Sequence, residues 1–248
     1  MTPAPQIAAP DQWLARRKAL LARERELTYL RDEVARERRA LPWVRVDKDY
    51  VFGTGEGPSK LADLFAGRSQ LVMQHFMLGP GWKEGCKSCS YMADHADGMT
   101  LHLAARDITF IAVSRAPLAE IERFKARMGW RFRWVSSNDS DFNFDFGVSF
   151  TPAERMKNEV TYNYAKQPWL HDELPGISVF AKDEVGAVFH TYSTFARGVE
   201  AMMGTYGLMD LTPKGRDEGE VGGMGWVRHH DRYEGKPKAQ ADCCHAKG

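Results

Sequence analysis

The chain has no apolar window near the roughly 18 residues that a membrane-spanning helix needs, and its first residues, MTPAPQIAAPDQWLARRK, contain no apolar signal-peptide core. It has almost no charge imbalance. Its 34 Lys and Arg against 33 Asp and Glu leave a formal charge of +1, so no global field draws it to nucleic acid or to an acidic lipid surface. It has only four cysteines in 248 residues, too few for a disulfide-stapled scaffold. Its Gly-rich stretch GTGEGPSK (53–60) lacks the Gly-Lys-Ser/Thr ending and the preceding buried strand of a phosphate loop, which argues against nucleotide binding. These absences leave a cytoplasmic globular protein that binds neither membrane nor nucleic acid, with 43% hydrophobic residues to build a core.

Two of the four cysteines, Cys86 and Cys89, form a Cys-x-x-Cys pair inside GPGWKEGCKSCSYMADHADG (79–98). In a reducing compartment such a pair points to catalysis or metal binding more than to a structural crosslink. Its surroundings matter more than its spacing. An apolar run, LVMQHFML (71–78), precedes it and suits a strand covered on both faces. A helical pattern from about Ser90 to Arg106 follows. Next come a second buried strand, ITFIAVS (108–114), a helix over 117–129 opened by Pro117 and stopped at Gly129, and an alternating strand, RFRWVSS (131–137). Strand, helix, strand, helix, strand predicts a parallel sheet with helices over it. GISVFAK (176–182) and GAVFHTYS (186–193) predict an antiparallel hairpin, and FARGVEAMMGTYG (195–207) a closing helix.

Ahead of this core, a helix from Asp11 to about Arg39 carries Trp13, Leu20, Leu27 and Val34 at seven-residue spacing on an otherwise charged surface. That seam packs either on its own domain or on a second copy, which makes a homodimer through this helix one expected partner. PWVRVDKDYVF (42–52) reads as one short strand, and residues 151–174 as an insertion without clear period. The segment from Leu211 is rich in Gly, Lys and Asp and reads as a loose tail. Three regions follow: an amphipathic helical extension (1–42), a core domain (43–210) and a partly disordered extension (211–248).

The layout resembles the thioredoxin-like fold. It is α/β and three-layered, with a central mixed sheet, helices on both faces and here a long N-terminal helix. In that fold an active dithiol follows the first strand of the parallel run, where Cys86 and Cys89 stand. A cis-proline precedes the hairpin beside it. Leu174-Pro175 stands before GISVF, so the resemblance implies a cis bond at Pro175 and a place for it in the site. The chain also resembles the bacterial domain-of-unknown-function family 899, in the peroxiredoxin-like branch of that superfamily. Carrying this resemblance are Cys86-Lys-Ser-Cys89-Ser90, Ser114-Arg-Ala-Pro117, Arg127-Met-Gly-Trp130, Trp134-Val-Ser-Ser137 and Phe142-Asn-Phe-Asp145. His190-Thr-Tyr-Ser193, Ala196-Arg-Gly198, Pro213-Lys-Gly-Arg-Asp217 and Trp226-Val-Arg-His-His-Asp231 extend it over residues 10–235.

Chemically, two intervening residues at a helix start bring two cysteines within disulfide reach. The positive end of the helix and its unpaired N–H groups favour a thiolate, lowering a cysteine pKa from about 8.5 into the range of about 3.5–7.5. Cys86, nearer the loop, is expected to be the exposed nucleophile and Cys89 the resolving thiol, with Lys83 and Lys87 adding positive charge. The substrate would be a thiol or disulfide, protein or small molecule. Gly85 replaces the tryptophan that thioredoxins place before the first cysteine, and Lys-Ser replaces their Gly-Pro. Lys83 stands where a peroxiredoxin carries threonine, so thiol peroxidase activity ranks below dithiol exchange; Arg115, Arg133 and Arg197 are the arginines it would draw on.

Two other readings use the same residues. Cys86 and Cys89 would ligate zinc or copper as a cofactor if a histidine or the tail Cys243-Cys244-His245 completed the set. Alternatively the fold is a non-catalytic scaffold that binds through its N-terminal helix. His229-His230-Asp231 reads as polar surface structure, His75 as a core histidine, and Asp141 and Asp145 as packing residues beside a possible cleft. His102 and His171 point to nothing specific.

Overall fold

The computed structural model describes residues 5–169, 171–219 and 222–233. Two compact units divide the chain, Met1–Trp43 and Val44–Gly248. The first is one helix, α1 (Pro10–Arg39). Pro10 occupies its first turn with Asp11, where proline's missing N–H costs nothing and a carboxylate meets the positive helix end. The expected cap, Asp11, thus lies inside the helix, and Ala9 is the flanking residue. None of its side chains is buried, and Trp13, Leu20, Leu27 and Val34 all stand exposed along the predicted seam.

The second unit contains β1 (Val44–Arg45), β2 (Val51–Thr54), β3 (Gly57–Lys60), β4 (Gln70–His75), α2 (Lys87–Ala104), β5 (Ile108–Ser114), α3 (Leu118–Met128) and β6 (Arg133–Ser136). Two short helices follow, α4 (Phe142–Asp145) and α5 (Pro152–Met156), then the small hairpin β7 (Val160–Tyr162) and β8 (Ala165–Gln167). The closing hairpin is β9 (Gly176–Lys182) and β10 (Val188–Phe195), followed by a 3-10 helix over Ala196–Met202 and by α6 (Gly204–Met209).

Eight strands form one mixed sheet in the order β1-β10-β9-β4-β5-β6-β2-β3. β4, β5 and β6 run parallel, while β9 lies antiparallel against β4 and β10 against β9. Parallel strands joined by α2 and α3, with an antiparallel hairpin on the far side of the first, are the thioredoxin-like layout. The expected single strand at 42–52 is two strands at opposite regions of the sheet. β1 pairs with β10, and β2 pairs with β6 and β3. Six strand steps of about 4.8 Å separate β1 from β2, but the chain from Arg45 to Val51 spans at most about 21 Å. The sheet therefore curls.

Period-2 alternation sorts side chains onto its two faces. Leu71 and Met73 of β4, Ile111 and Val113 of β5, and Phe180 of β9 join Phe52, Leu64, Phe65 and Phe142 in one cluster. Short helical turns, Leu61–Phe65 and α4, cover that side. Ala112, Trp134 and Ile177 point the other way, into a larger cluster with Phe76, Cys86, Cys89, Met92, Phe124 and Trp130. α2, α3 and the 3-10 helix over Ala196–Met202 supply its cover through Met92, Ile121 and Val199. Helical cover on the two faces is thus unequal. α3 is punctuated much as the sequence suggests: Pro117 is its N-cap, and Gly129 ends it in the left-handed conformation at φ 67°, a geometry glycine adopts without a Cβ penalty.

The segment after α6 is not loose over its described residues 222–233. Val227 is fully buried in the larger cluster, with Trp226 packed against it and His229 buried. Cys243, Cys244 and His245 lie outside the described residues, so the proposed second half of a metal site does too.

Candidate functional site

β4 ends at His75, and the chain keeps following the sheet. Phe76 donates its N–H to the Val113 carbonyl at 2.9 Å, and Ala116 donates to the Leu78 carbonyl at 2.9 Å. Gly79–Gly85 then turns the chain back to Met77, and α2 begins. Cys86 is its N-cap residue and Cys89 sits in its first turn. Met77 clips both cysteines to the strand. Its carbonyl accepts the Cys86 N–H at 3.0 Å, and its N–H donates to Cys89 Sγ at 3.5 Å. Buried Gln74 donates to the Cys89 carbonyl at 3.1 Å. Ser90 caps the Cys86 carbonyl through both its N–H and its hydroxyl, each at 2.9 Å.

The structure thus brings Cys86 and Cys89 together at a helix start, as the sequence suggests, but changes their accessibility. Cys86, expected to be the exposed thiol, is only 5% exposed, and Cys89 is 0% exposed. Three things close over Cys86. Gly85 lies so tightly under the Phe76 and Phe124 rings that a Cβ there would come within 2.6 and 2.8 Å of them. His229 donates its Nε2 hydrogen to the Gly85 carbonyl at 2.9 Å. Arg127 holds the segment carrying His229 with a fork onto Asp231 (2.8 and 2.9 Å), while also donating to Glu84 at 2.8 Å. Arg232 meets the same Glu84 carboxylate. Partial burial works against the Glu84 charge, yet the hydrogen bond and charge of Arg232, then the charges of Arg127 and His229, hold its pKa below the ordinary value. Burial, opposed by the Gly85 bond, lowers that of His229.

Pro175 reaches the site, but not in the expected form. No cis peptide bond occurs among the described residues, so Leu174–Pro175 is trans. The chain entering β9 is held extended. Glu173 bridges to Ser149, and Leu174 donates to the Val148 carbonyl at 2.9 Å. A residue before proline favours that extended conformation, and trans is the ordinary state of an X–Pro bond. Pro175 and Cys89 both line a cavity of about 770 Å³, together with Met92, Val199, Met203 and Met224. The Pro175 carbonyl accepts the Tyr162 hydroxyl at 2.7 Å. Burial pushes the Tyr162 phenol up to about 12, opposed by the hydrogen bond its oxygen accepts from the Ala196 N–H.

Of the arginines singled out, Arg197 lines this cavity, paired with Glu200 at 2.8 Å. Half-buried Arg115 instead pairs with buried Glu173 at 2.7 Å; Ser149 donates to the second carboxylate oxygen at 2.8 Å. Burial pushes the Glu173 carboxyl up to about 7, against the charge of Arg115. Arg133 has no place among the cavity-lining residues. Arg216, not singled out although its motif is, forks onto Asp210 and Glu200 and lies 4.1 Å above the Tyr206 ring at the cavity wall. His95 is committed elsewhere. It donates from Nδ1 to the Tyr91 carbonyl at 2.7 Å, and its Nε2 accepts the Thr205 N–H at 3.1 Å.

His75 faces the opposite side of the sheet. Its Nε2 joins a chain of hydrogen bonds through Ser178 (2.8 Å) and Ser193 (2.8 Å) to His190 Nε2 (2.7 Å). Burial, then the charge of His190, lowers His75 to about 3, so this core histidine is neutral. Asp141 and Asp145 are held by Lys48 at 2.9 and 2.7 Å; Asp145 also accepts the Tyr50 hydroxyl at 2.7 Å and lines a second cavity of about 480 Å³. Among the described residues no group of three or more His, Cys, Asp or Glu side chains is placed to hold a metal ion. None of the described helices is long and apolar enough to cross a membrane.

The profile of one family, described as a bacterial protein of unknown function (DUF899), matches residues 2–233. The chain belongs to this DUF899 family. No curated protein matches it. Solved structures similar to this DUF899 chain include peroxiredoxin Q from Xanthomonas campestris, at 12% identity and a TM-score of 0.46 over 68% of this chain and 98% of that one. Peroxidoxin BcpB from Mycobacterium tuberculosis is 13% identical, with a TM-score of 0.43 over 66% of this chain and 96% of that one. A putative thiol:disulfide interchange protein DsbE from Chlorobium tepidum is 16% identical, with a TM-score of 0.39 over 65% and 93%. The fold assignment rests on the strand order and register given above.

Proposed function

We propose that this DUF899 protein is a thiol–disulfide oxidoreductase that works through Cys86 and Cys89. One observation carries the reading: both cysteines sit at the N-terminal end of α2, where the helix leaves the first strand of the parallel run, and Met77 N–H points at Cys89 Sγ. A helix N-terminus and a backbone N–H both favour a sulfur's charged form, the species that attacks a disulfide. In the exchange, the two thiols give up two protons and two electrons. They become a Cys86–Cys89 disulfide, while a partner disulfide leaves as two thiols. Pro175 shares a cavity with Cys89 and shapes the approach to it.

The test is the pH dependence of iodoacetamide alkylation, measured on Cys86→Ser and Cys89→Ser so that each sulfur is followed alone. The reading expects at least one of them to titrate clearly below the free value of about 8.5. Midpoints at or above that value for both sulfurs would remove it.

A further inference from the structure

The second cavity, of about 480 Å³, has no part in the dithiol reading, and neither Cys86 nor Cys89 lines it. We propose that it is a binding site for a small, uncharged aromatic molecule with a hydroxyl group, a phenol, held chiefly by ring contacts.

β1, the segment before β2, the end of α4, the β7–β8 hairpin and β10 meet around this cavity. Its volume is that of a small-molecule site. Six of the lining residues carry rings, in two groups. Tyr50 and Phe146 lie 6.2 Å apart between centroids, and His190 meets Phe146 edge-on at 5.3 Å. Phe195 meets Tyr162 at 5.3 Å and Tyr164 at 5.7 Å, again edge to face. A flat ring in the cavity gains offset-stacked or edge-on contacts of the same kind.

The charges in the lining cancel. Arg45 pairs with Asp47 at 2.9 Å, and Lys48 with Asp145 at 2.7 Å, two cations against two anions. Burial, opposed by a backbone bond to Tyr192, holds the His190 pKa below its ordinary value, so that ring is neutral near neutral pH. An ionic ligand would give up its hydration here and find no unpaired opposite charge in the lining. Exposed Thr161 and Asn163 add a hydroxyl and an amide, which suit one uncharged polar group on the ligand's ring.

The β7–β8 turn gives an independent reason. Its two central residues, Asn163 and Tyr164, have φ of 51° and 64°. Two positive φ angles in a two-residue hairpin turn favour Asn-Gly, and a bulky tyrosine in the glycine's place is strained. Tyr164 is 76% exposed, so its burial does not offset that strain. Its hydroxyl donates to the Ser193 carbonyl at 2.9 Å, which fixes the ring at the cavity wall. Strain held at an exposed ring beside a cavity points to binding rather than to folding.

The probe is p-cresol, titrated into the protein while the histidine ring resonances are followed by NMR, with His190 assigned through His190→Gln. p-Cresol should shift the His190 ring saturably. 4-Methylcyclohexanol, similar in size but not aromatic, should bind at least about tenfold more weakly, and so should the charged rings benzoate and benzylammonium. Tyr164→Gly keeps the turn, because glycine adopts φ 64° without strain, and should weaken p-cresol binding at least about fivefold. The proposal is overturned by a His190 ring that shows no saturable shift up to the solubility of p-cresol. Equal affinity for 4-methylcyclohexanol or for either charged ring, or unchanged p-cresol affinity in Tyr164→Gly, also overturns it. None of these outcomes bears on the dithiol reading, which alkylation tests.

Discussion

His229 donates to the carbonyl of Gly85, the residue before Cys86, across 144 positions of sequence. A carbonyl oxygen only accepts, so Nε2 carries the proton, and Nδ1 is left facing Arg127 Nη2 at 3.4 Å. One histidine therefore ties the C-terminal segment to the start of α2. His229-His230-Asp231, which reads in sequence as polar surface structure, supplies a clasp over the thiol loop through His229 and Asp231.

Replacing His229 by Phe keeps a ring against Phe124, 5.4 Å away between centroids, and removes the donor. The buried Gly85 carbonyl then lacks its partner, which costs about 1–3 kcal/mol. H229F is expected to unfold at lower urea concentration by that amount, with Cys86 alkylating faster than in the wild type. A urea midpoint and a Cys86 alkylation rate both equal to wild type would show that the clasp does not hold the loop.

Acid should loosen the opposite face of the sheet. His75 has its pKa lowered from 6.5 to about 3 by burial, so it is neutral when folded and binds a proton readily only when unfolded. The stability this gives is complete above pH 6.5 and is lost as pH falls from there towards 3. The loss is about 1.4 kcal/mol for each unit below 6.5. Between pH 7 and pH 5 the wild type should lose about 2 kcal/mol more than His75→Phe, measured by urea unfolding at each pH. Parallel losses in the two proteins would show that His75 does not carry the effect.

Glu173 behaves in the opposite sense. Its folded pKa is raised to about 7 by burial, so its contribution favours folding at low pH and is lost as pH rises from 4.5 through 7. Its carboxylic-acid infrared band should disappear with a midpoint near pH 7 and be missing from Glu173→Gln. A midpoint in the ordinary carboxylate range would mean that Arg115, 2.7 Å away, outweighs burial.

Local signals made much of the core legible. ITFIAVS is β5 residue for residue, and GISVFAK is β9, because short apolar runs bounded by turn residues have few other uses. Pro117 and Gly129 bracket α3 because one presets a helical entry and the other tolerates a left-handed exit. The strand–cysteine–helix order puts Cys86 and Cys89 at a helix start, and α2 begins there. What stayed hidden depends on distant contacts. Position near a loop suggests that Cys86 is exposed, and only the arrival of Phe124 and His229 buries it. Composition suggests a loose segment after Leu211, but one Val, one Trp and one His in it find the core. PWVRVDKDYVF looks like one strand because a curled sheet, which sends β1 and β2 to different partners, leaves no mark in local alternation.

Mass spectrometry of the protein equilibrated in mixtures of reduced and oxidised dithiothreitol tests the dithiol most directly. The account predicts one reversible transition between a form with two alkylatable sulfurs at 86 and 89 and a form two hydrogens lighter with neither, absent from C86S and C89S. Two sulfurs that stay reduced across the whole series would contradict it.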